Sequence, residues 1–538
     1  MKTLFTFLGI ALSLALNANN ISVTNVTLTG QDVSAGINNA ANFTVVEFDL
    51  SWENSWRTAN LPGNWDAAWV FVKYRAGGGD WQHARLNSTV HSAPAGSTID
   101  IGLRTPGSAF NASTNPGIGA FIYRSADGTG TFSLNGIQLR WNYVANGLID
   151  NAIVDVQVFA IEMVYVPQGA FSAGDGTTTN ITGQFRNGAS NIPFTVSSEA
   201  ALTLGGTDAA NLANNNAAGM LVLDDFNNTT TQTLPAAFPK GYNAFYSMKY
   251  EISQQQYVDF LNTLTRTQQD TRTGTNLAAG VTSVTNRYVM SNSDFVYLRN
   301  SIRCDATINA TAPVTFYCDL NGNGTGGEAD DGQWLACNWL SSMDVAAYLD
   351  WSGLRPMTEL EFEKACRGTL AAVPDEYAWG TTGITGAANI TNGGTNCETS
   401  NTAGANAVGN FNANVQGPMR VGVFATGGSA RLQAGATYYG IMEMSGNVHE
   451  RPVTVGNGSS RLFTGISGDG ATSANGNANE SAWPGLSAGE VLSDGGGFRG
   501  GDWTSNVVEL RVSQRFHAVY AYQPRDYHYG GRGCRVAP

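Results

Sequence analysis

Apolar and polar positions alternate along the first part of the chain. Between about Asn20 and Phe159, short runs such as Phe48–Trp52 and Ala68–Tyr74 are separated by clusters of Gly, Asn and Pro. This is the pattern of strands joined by tight turns in an all-β sandwich. After Ala160 the period changes. Met163–Phe171 reads as an apolar strand closed by a Pro/Gly turn. Ser253 and Gln256 make a capping box ahead of Tyr257, Phe260, Leu261 and Leu264, which predicts a helix with one buried face. Another helix is predicted from near Ser342, carrying Val345, Tyr348 and Leu349. A third is capped by Thr358 and Glu361 before Phe362 and Ala365, with Gly353 and Pro356 ending the one and setting up the other. The stretches 177–237 and 369–437 show weak periodicity and much Gly, Asn and Ala, and read as irregular loops.

These elements give an α+β, loop-rich fold, with a β-sandwich over 19–159 followed by a larger domain over 160–538. The chain has 538 residues, too many for one ordinary core. It is 42% apolar and 13% charged with 64 glycines, which suits a β-rich extracytoplasmic protein. A net charge of −13 without any Lys/Arg run argues against a nucleic-acid partner, which demands a basic face. Lys2, the apolar run Leu4–Leu16 and the small Ala18 read as a secretory signal peptide over 1–18. No other stretch approaches the ~20 apolar residues of a membrane span, and no cysteine follows the leader to accept a lipid. The expected location is therefore secreted or cell-surface, without membrane insertion.

Six cysteines, Cys304, Cys318, Cys337, Cys366, Cys397 and Cys534, contain no C-x-x-C and suit disulfide stapling or plain burial. His83 and His91 are expected at the surface. His449, His517 and His528 have no helical ligand spacing. Asp319, Asn321 and Asn323, with a central Gly and Asp330 closing, follow the alternating oxygen pattern of a calcium loop, although the closing Glu of that pattern is Asp here. The segment Asp502–Tyr529 is dense in Tyr, His, Asp and Ser, the composition of adaptable binding surfaces. Its candidate ligand-binding residues are Asp502, Ser505, Asn506, His517, Tyr520, Tyr522, Asp526, Tyr527, His528 and Tyr529.

Several motifs fall in an order that resembles a known family. They are Val166–Phe171 (Val-Pro-Gln-Gly-Ala-Phe), Tyr250–Ser253, Leu354–Gly368, Tyr377–Gly380, Tyr439–Val448, Arg499–Trp503 (Arg-Gly-Gly-Asp-Trp) and Gly533–Arg535. The chain resembles the formylglycine-generating (sulfatase-modifying factor) family, whose fold is related to C-type lectins and poor in regular structure. The resemblance implies an oxidoreductase that uses a cysteine pair and copper just after the Arg-Gly-Gly-Ser-Trp motif. Those places hold Ser505 and Leu510 here, and neither supplies a thiolate. No catalytic activity, copper or iron is therefore expected. The resemblance also implies a structural calcium at Ser445–Glu450, with Asn447 and Glu450 carried over and His449 and Arg451 in place of aromatics.

Some proteins similar to this family and to lectins are targets of diversity-generating retroelements, which mutate adenines in Asn codons near the C-terminus. Such mutagenesis reaches Tyr, His, Asp, Ser, Ala, Val and Phe but never Lys, Glu, Gln, Trp or Met. Positions 516–522 and 526–529 hold only reachable residues, while Trp503, Glu509, Gln514 and Gln523 would be scaffold. The reading is an exported, non-catalytic binding protein for a protein or glycan ligand, with 499–538 as its ligand-binding segment. The alternatives are a self-assembling subunit of an extracellular structure and an oxidoreductase of altered active site.

Overall fold

The computed structural model describes residues 20–178, 181–215, 219–410 and 415–538. The signal peptide expected at 1–18 lies outside the described residues. Strands β1 (Ser22–Asp32), β2 (Phe43–Arg57) and β7 (Gly128–Trp141) form a three-stranded sheet in the order β1-β2-β7. It faces a larger sheet built on β3 (Asp66–Ala76), β5 (Ser97–Leu103), β6 (Gly117–Arg124) and β8 (Val154–Val166), to which β4 (Gln82–His83) adds at β3. Alternate residues of β2, namely Val46, Phe48, Leu50 and Trp52, pack on Ala68, Val70, Val72 and Tyr74 of β3. Burying one face of a strand gives alternation, and β2 shows it.

β3 is different because both of its faces are covered. Ala67, Trp69 and Phe71 point away from the sandwich into the main core of the rest of the chain. That is why Ala68–Tyr74 is apolar nearly throughout. The 159/160 position at which the sequence changes texture lies inside β8, which pairs with β3 along Val154–Val164 and with the strand Phe245–Met248 along Met163–Val166. The sheet then continues through Gly533–Val536 to Arg355–Pro356. Trp69 Nε1 donates to the Ser352 carbonyl at 2.8 Å and Lys73 Nζ to the Trp351 carbonyl at 2.7 Å. Gly119 lets the Trp69 ring approach, since a Cβ there would stand 2.6 Å from it.

The predicted helices form, each with its capping box: α1 (Gln254–Leu261), α3 (Ser342–Trp351) and α4 (Glu359–Arg367). Gly353, at φ +72°, turns the chain after α3. The helix α2 (Arg266–Arg272) was not expected. The stretch expected to be loop between 177 and 237 instead carries three-residue strands in a four-stranded sheet, Phe185–Asn187, Leu212–Asn214, Leu202–Leu204 and Gln232–Leu234. Such strands are too short to leave a period in the sequence.

Cys304, Cys318, Cys337, Cys366 and Cys534 are buried free thiols, so these five serve as small apolar core residues rather than staples. His83 is not at the surface. It is 8% exposed, its Nε2 is 2.5 Å from the Ile118 carbonyl, and burial pushes its imidazole well below the ordinary range.

Candidate functional site: an aromatic surface on a buried ionic anchor

Helix α4 anchors the C-terminal segment. Its Glu359 and Glu363 are fully buried, and Arg499 bridges them, with Nη1 2.7 Å from Glu359 Oε2 and Nη2 2.8 Å from Glu363 Oε1. Arg515 places Nε 2.8 Å from Glu359 Oε2 and Nη1 2.8 Å from Asp224 Oδ2. Burial alone would raise the Glu359 carboxyl, but Arg515 and Arg499 outweigh it and bring it down to about 2. Both ends of the stretch between Arg499 and Arg515 are thus tied to one helix by charge-assisted hydrogen bonds, which are costly to break once buried.

Beyond Arg515 the side chains turn outward. His517, Tyr520, Tyr522, Tyr529, His528 and Tyr527 follow one another in a chain of ring contacts, with centroids 6.1, 5.5, 5.7, 5.7 and 4.0 Å apart in that order. Every one of them is partly exposed. The track continues from Tyr527 to Trp339 at 5.8 Å, Tyr297 at 5.7 Å and Phe295 at 5.9 Å. Phe295 is 59% and Tyr297 41% exposed. Beneath the track, buried Phe498 stacks on Tyr529 at 4.4 Å, and the Arg451 guanidinium lies 4.6 and 4.7 Å from those two rings. A guanidinium on aromatic faces supplies the packing expected of an aromatic at that position. Burial lowers Arg451 to about 10.

Asp502 holds two histidines from below. It is 2% exposed, and its Oδ2 is 3.0 Å from His449 Nε2 and 3.3 Å from His528 Nδ1. Thr504 Oγ1 donates to its Oδ1 at 2.6 Å. Burial would raise the Asp502 carboxyl, but His449 and His528 outweigh it and hold it far below the carboxylate range. Burial is the largest influence on His528 and opposes its protonation, but the hydrogen bond to Asp502 and the charges of Asp502, Asp526 and Glu509 together outweigh it, and the imidazole is raised. His517 goes the other way, down to about 4, through burial and then through the charge of His449.

The structure therefore brings together His517, Tyr520, Tyr522, Tyr527, His528 and Tyr529. Asp526 is partly exposed and faces His528 Nε2 at 3.7 Å. Asp502 supports the surface rather than lining it. Ser505 is buried, with Oγ accepting the Asp502 N–H at 3.1 Å. Asn506 is exposed, but its Oδ1 accepts the Val508 N–H at 2.8 Å, so it caps a turn outside the ring track. Leu510 is fully buried against Tyr377, Trp379 and Ala407. Phe295, Tyr297, Trp339 and Phe498 were missed. The available signal was an aromatic pair, Phe295 and Tyr297, set in a polar Asn/Ser loop.

The residues at Ser445–Glu450 do not fit a calcium ion. Asn447 Oδ1 accepts the Met419 N–H at 2.8 Å and its Nδ2 donates to Glu251 at 2.6 Å, so its oxygen is already engaged. Glu450 is ion-paired with Arg532, whose guanidinium also feels Glu251 and Glu443. The positive charge that engages Glu450 is thus the protein's own guanidinium.

The sulfatase-modifying factor enzyme 1-like domain matches residues 207–528, more than half of the chain. The chain belongs to this sulfatase-modifying factor family. Among solved structures it is similar to Treponema denticola variable protein 1, at 12% identity and a TM-score of 0.25 over 70% of this chain and 96% of that one. No curated protein matches the sequence. Family membership covers α4, the Arg499 and Arg515 anchor and nearly all of the ring track. No helix among the described residues is long and apolar enough to cross a membrane.

Proposed function

We propose that this family member is an exported, non-catalytic binding protein that presents the ring track to a protein or glycan ligand. The observation that carries the reading is the continuity of partly exposed rings from Phe295 to His517 over a buried ionic anchor. Tyr and His give large contact area at small entropic cost, and the anchor keeps their backbone in place. Ser505 and Leu510 at the positions of the family's cysteine pair support the absence of its oxidation chemistry.

Diversification of the last segment by a retroelement is part of the proposal. Trp503 and Gln514, residues that adenine mutagenesis cannot create, are 8% exposed and hydrogen-bonded to backbone, as scaffold should be. Gln523 is exposed and stands outside this pattern. The test is an array of purified glycans and surface proteins probed with the wild-type chain and with a Tyr520→Ala/Tyr522→Ala/Tyr527→Ala variant. Selective binding by the wild type, lost in a variant that stays folded, is expected. Equal binding by both sinks the reading. Sequencing related strains should place substitutions within 516–522 and 526–529, and an even spread over 499–538 removes the diversification proposal.

A further inference from the structure

The segment 319–331 closes on itself: the Leu320 N–H donates to the Asp331 carbonyl at 3.1 Å, and the Asp319 N–H to Ser301 at 2.9 Å. Inside it, carboxylate oxygens of Glu328, Asp330 and Asp331 lie within 4.8 Å of one another. Asp319 and Asp331 are fully buried, and the Oδ1 of each has no hydrogen-bond partner among the described residues. Arg303 pairs with Asp319 through Oδ2. Buried carboxylate oxygens normally find partners, and two orphans in a loop of like charge lack what a hard cation supplies.

We propose that this loop binds one calcium ion through Glu328, Asp330 and Asp331, with the unpartnered Oδ1 of buried Asp331 turned to it. The ligand set differs from the one that the sequence pattern suggests. Asn321 and Asn323 use their oxygens to accept the Asn323 and Thr325 N–H groups at 3.0 and 2.7 Å. Their amide nitrogens reach Glu328 at 3.2 and 2.5 Å, and Asn321 also reaches Asp330 at 3.1 Å. They shape the loop and hold its carboxylates, and the acidic residues at its end take over as ligands. The arrangement differs from Glu450, which Arg532 pairs directly, in that among the described residues Arg303 pairs with Asp319 and not with the clustered carboxylates.

The site stands independently of the ligand-binding proposal, but it adjoins that surface. Tyr288 OH donates to the Asp319 carbonyl at 3.2 Å, and the Tyr288 N–H donates to the Ser293 carbonyl at 2.9 Å, two residues before Phe295. Calcium would therefore brace the loop that carries Phe295 and Tyr297. The experiment titrates chelator-treated, desalted full-length protein with calcium chloride, reading heat of binding and thermal midpoint, for the wild type and for Asp330→Asn, an exposed position that leaves the core untouched. Saturable one-site binding is expected, weakened at least tenfold in Asp330→Asn. Without calcium the variant should melt at or above the wild type because like charge is relieved, and in saturating calcium below it. No saturable binding by the wild type, or equal affinity in the variant, overturns the site.

Discussion

The indole of Trp503 donates its Nε1–H to the carbonyl of Tyr527 at 3.1 Å, so a buried residue of the Arg-Gly-Gly-Asp-Trp motif fixes the backbone beneath an exposed ring. Trp503→Phe keeps much of the packing but removes the donor. The expected loss is about 1 kcal/mol of stability in urea unfolding, with the Tyr527 and His528 amide resonances shifted and distant ones unchanged. Unmoved Tyr527 resonances would show that this bond does not set the surface.

The anchor should be far more sensitive. Glu359→Gln leaves Arg499 and Arg515 short of a buried counter-charge, and the expected cost is roughly 3–5 kcal/mol. The Glu359 carboxyl is depressed to about 2, so its stabilisation is complete above the unfolded carboxyl value of about 4.3 and is lost as the pH falls toward the folded value. Acid unfolding followed by circular dichroism should show a steep decline in this window for the wild type. In Glu359→Gln the decline should be shallower.

His528 offers an opposite pH signature. Its raised imidazole means that protonated His528 stabilises the fold below about pH 6.5, and that this contribution disappears as the pH rises through the folded value. Asp502→Asn should bring the His528 titration down, and also that of His517, about 4 in the wild type, because the Asp502 charge raises it. Proton–carbon NMR of the imidazoles reads both. An unchanged His528 curve in Asp502→Asn would mean that Asp502 does not govern it.

The joint between the two regions can be probed at Gly119. A Cβ there would stand 2.6 Å from the Trp69 ring and 2.7 Å from the Val70 carbonyl, so Gly119→Ala should cost about 1–3 kcal/mol by overpacking. Since Trp69 also donates to Ser352, the whole molecule should melt lower as a single transition in calorimetry. A separate early transition for the sandwich alone would contradict that coupling.

Local signals in the sequence were read well where chemistry and period coincide. The capping boxes at Ser253 and Thr358 and the apolar run after Ser342 were read from the sequence, and a helix starts at each, the middle one with a box at Ser341 that only the structure shows. Thr265 and Gln268 make the same box, but Arg266–Arg272 has no apolar residue and so no periodicity, and α2 went unseen. The ring track was half legible. Its C-terminal rings are close in sequence, whereas Phe295, Tyr297 and Trp339 join them only through the folding of distant loops. Arg532 is likewise remote from Glu450 in sequence, and nothing local announces that a guanidinium occupies the carboxylate.

β8 has a consequence for how this surface tolerates change. Scission between 159 and 160 would leave each fragment part of one strand and a raw hydrogen-bonding edge, so neither piece is an exchangeable cassette. Where both regions unfold as one, a substitution in the ring-bearing segment draws on the stability of both together rather than on that of a small isolated scaffold.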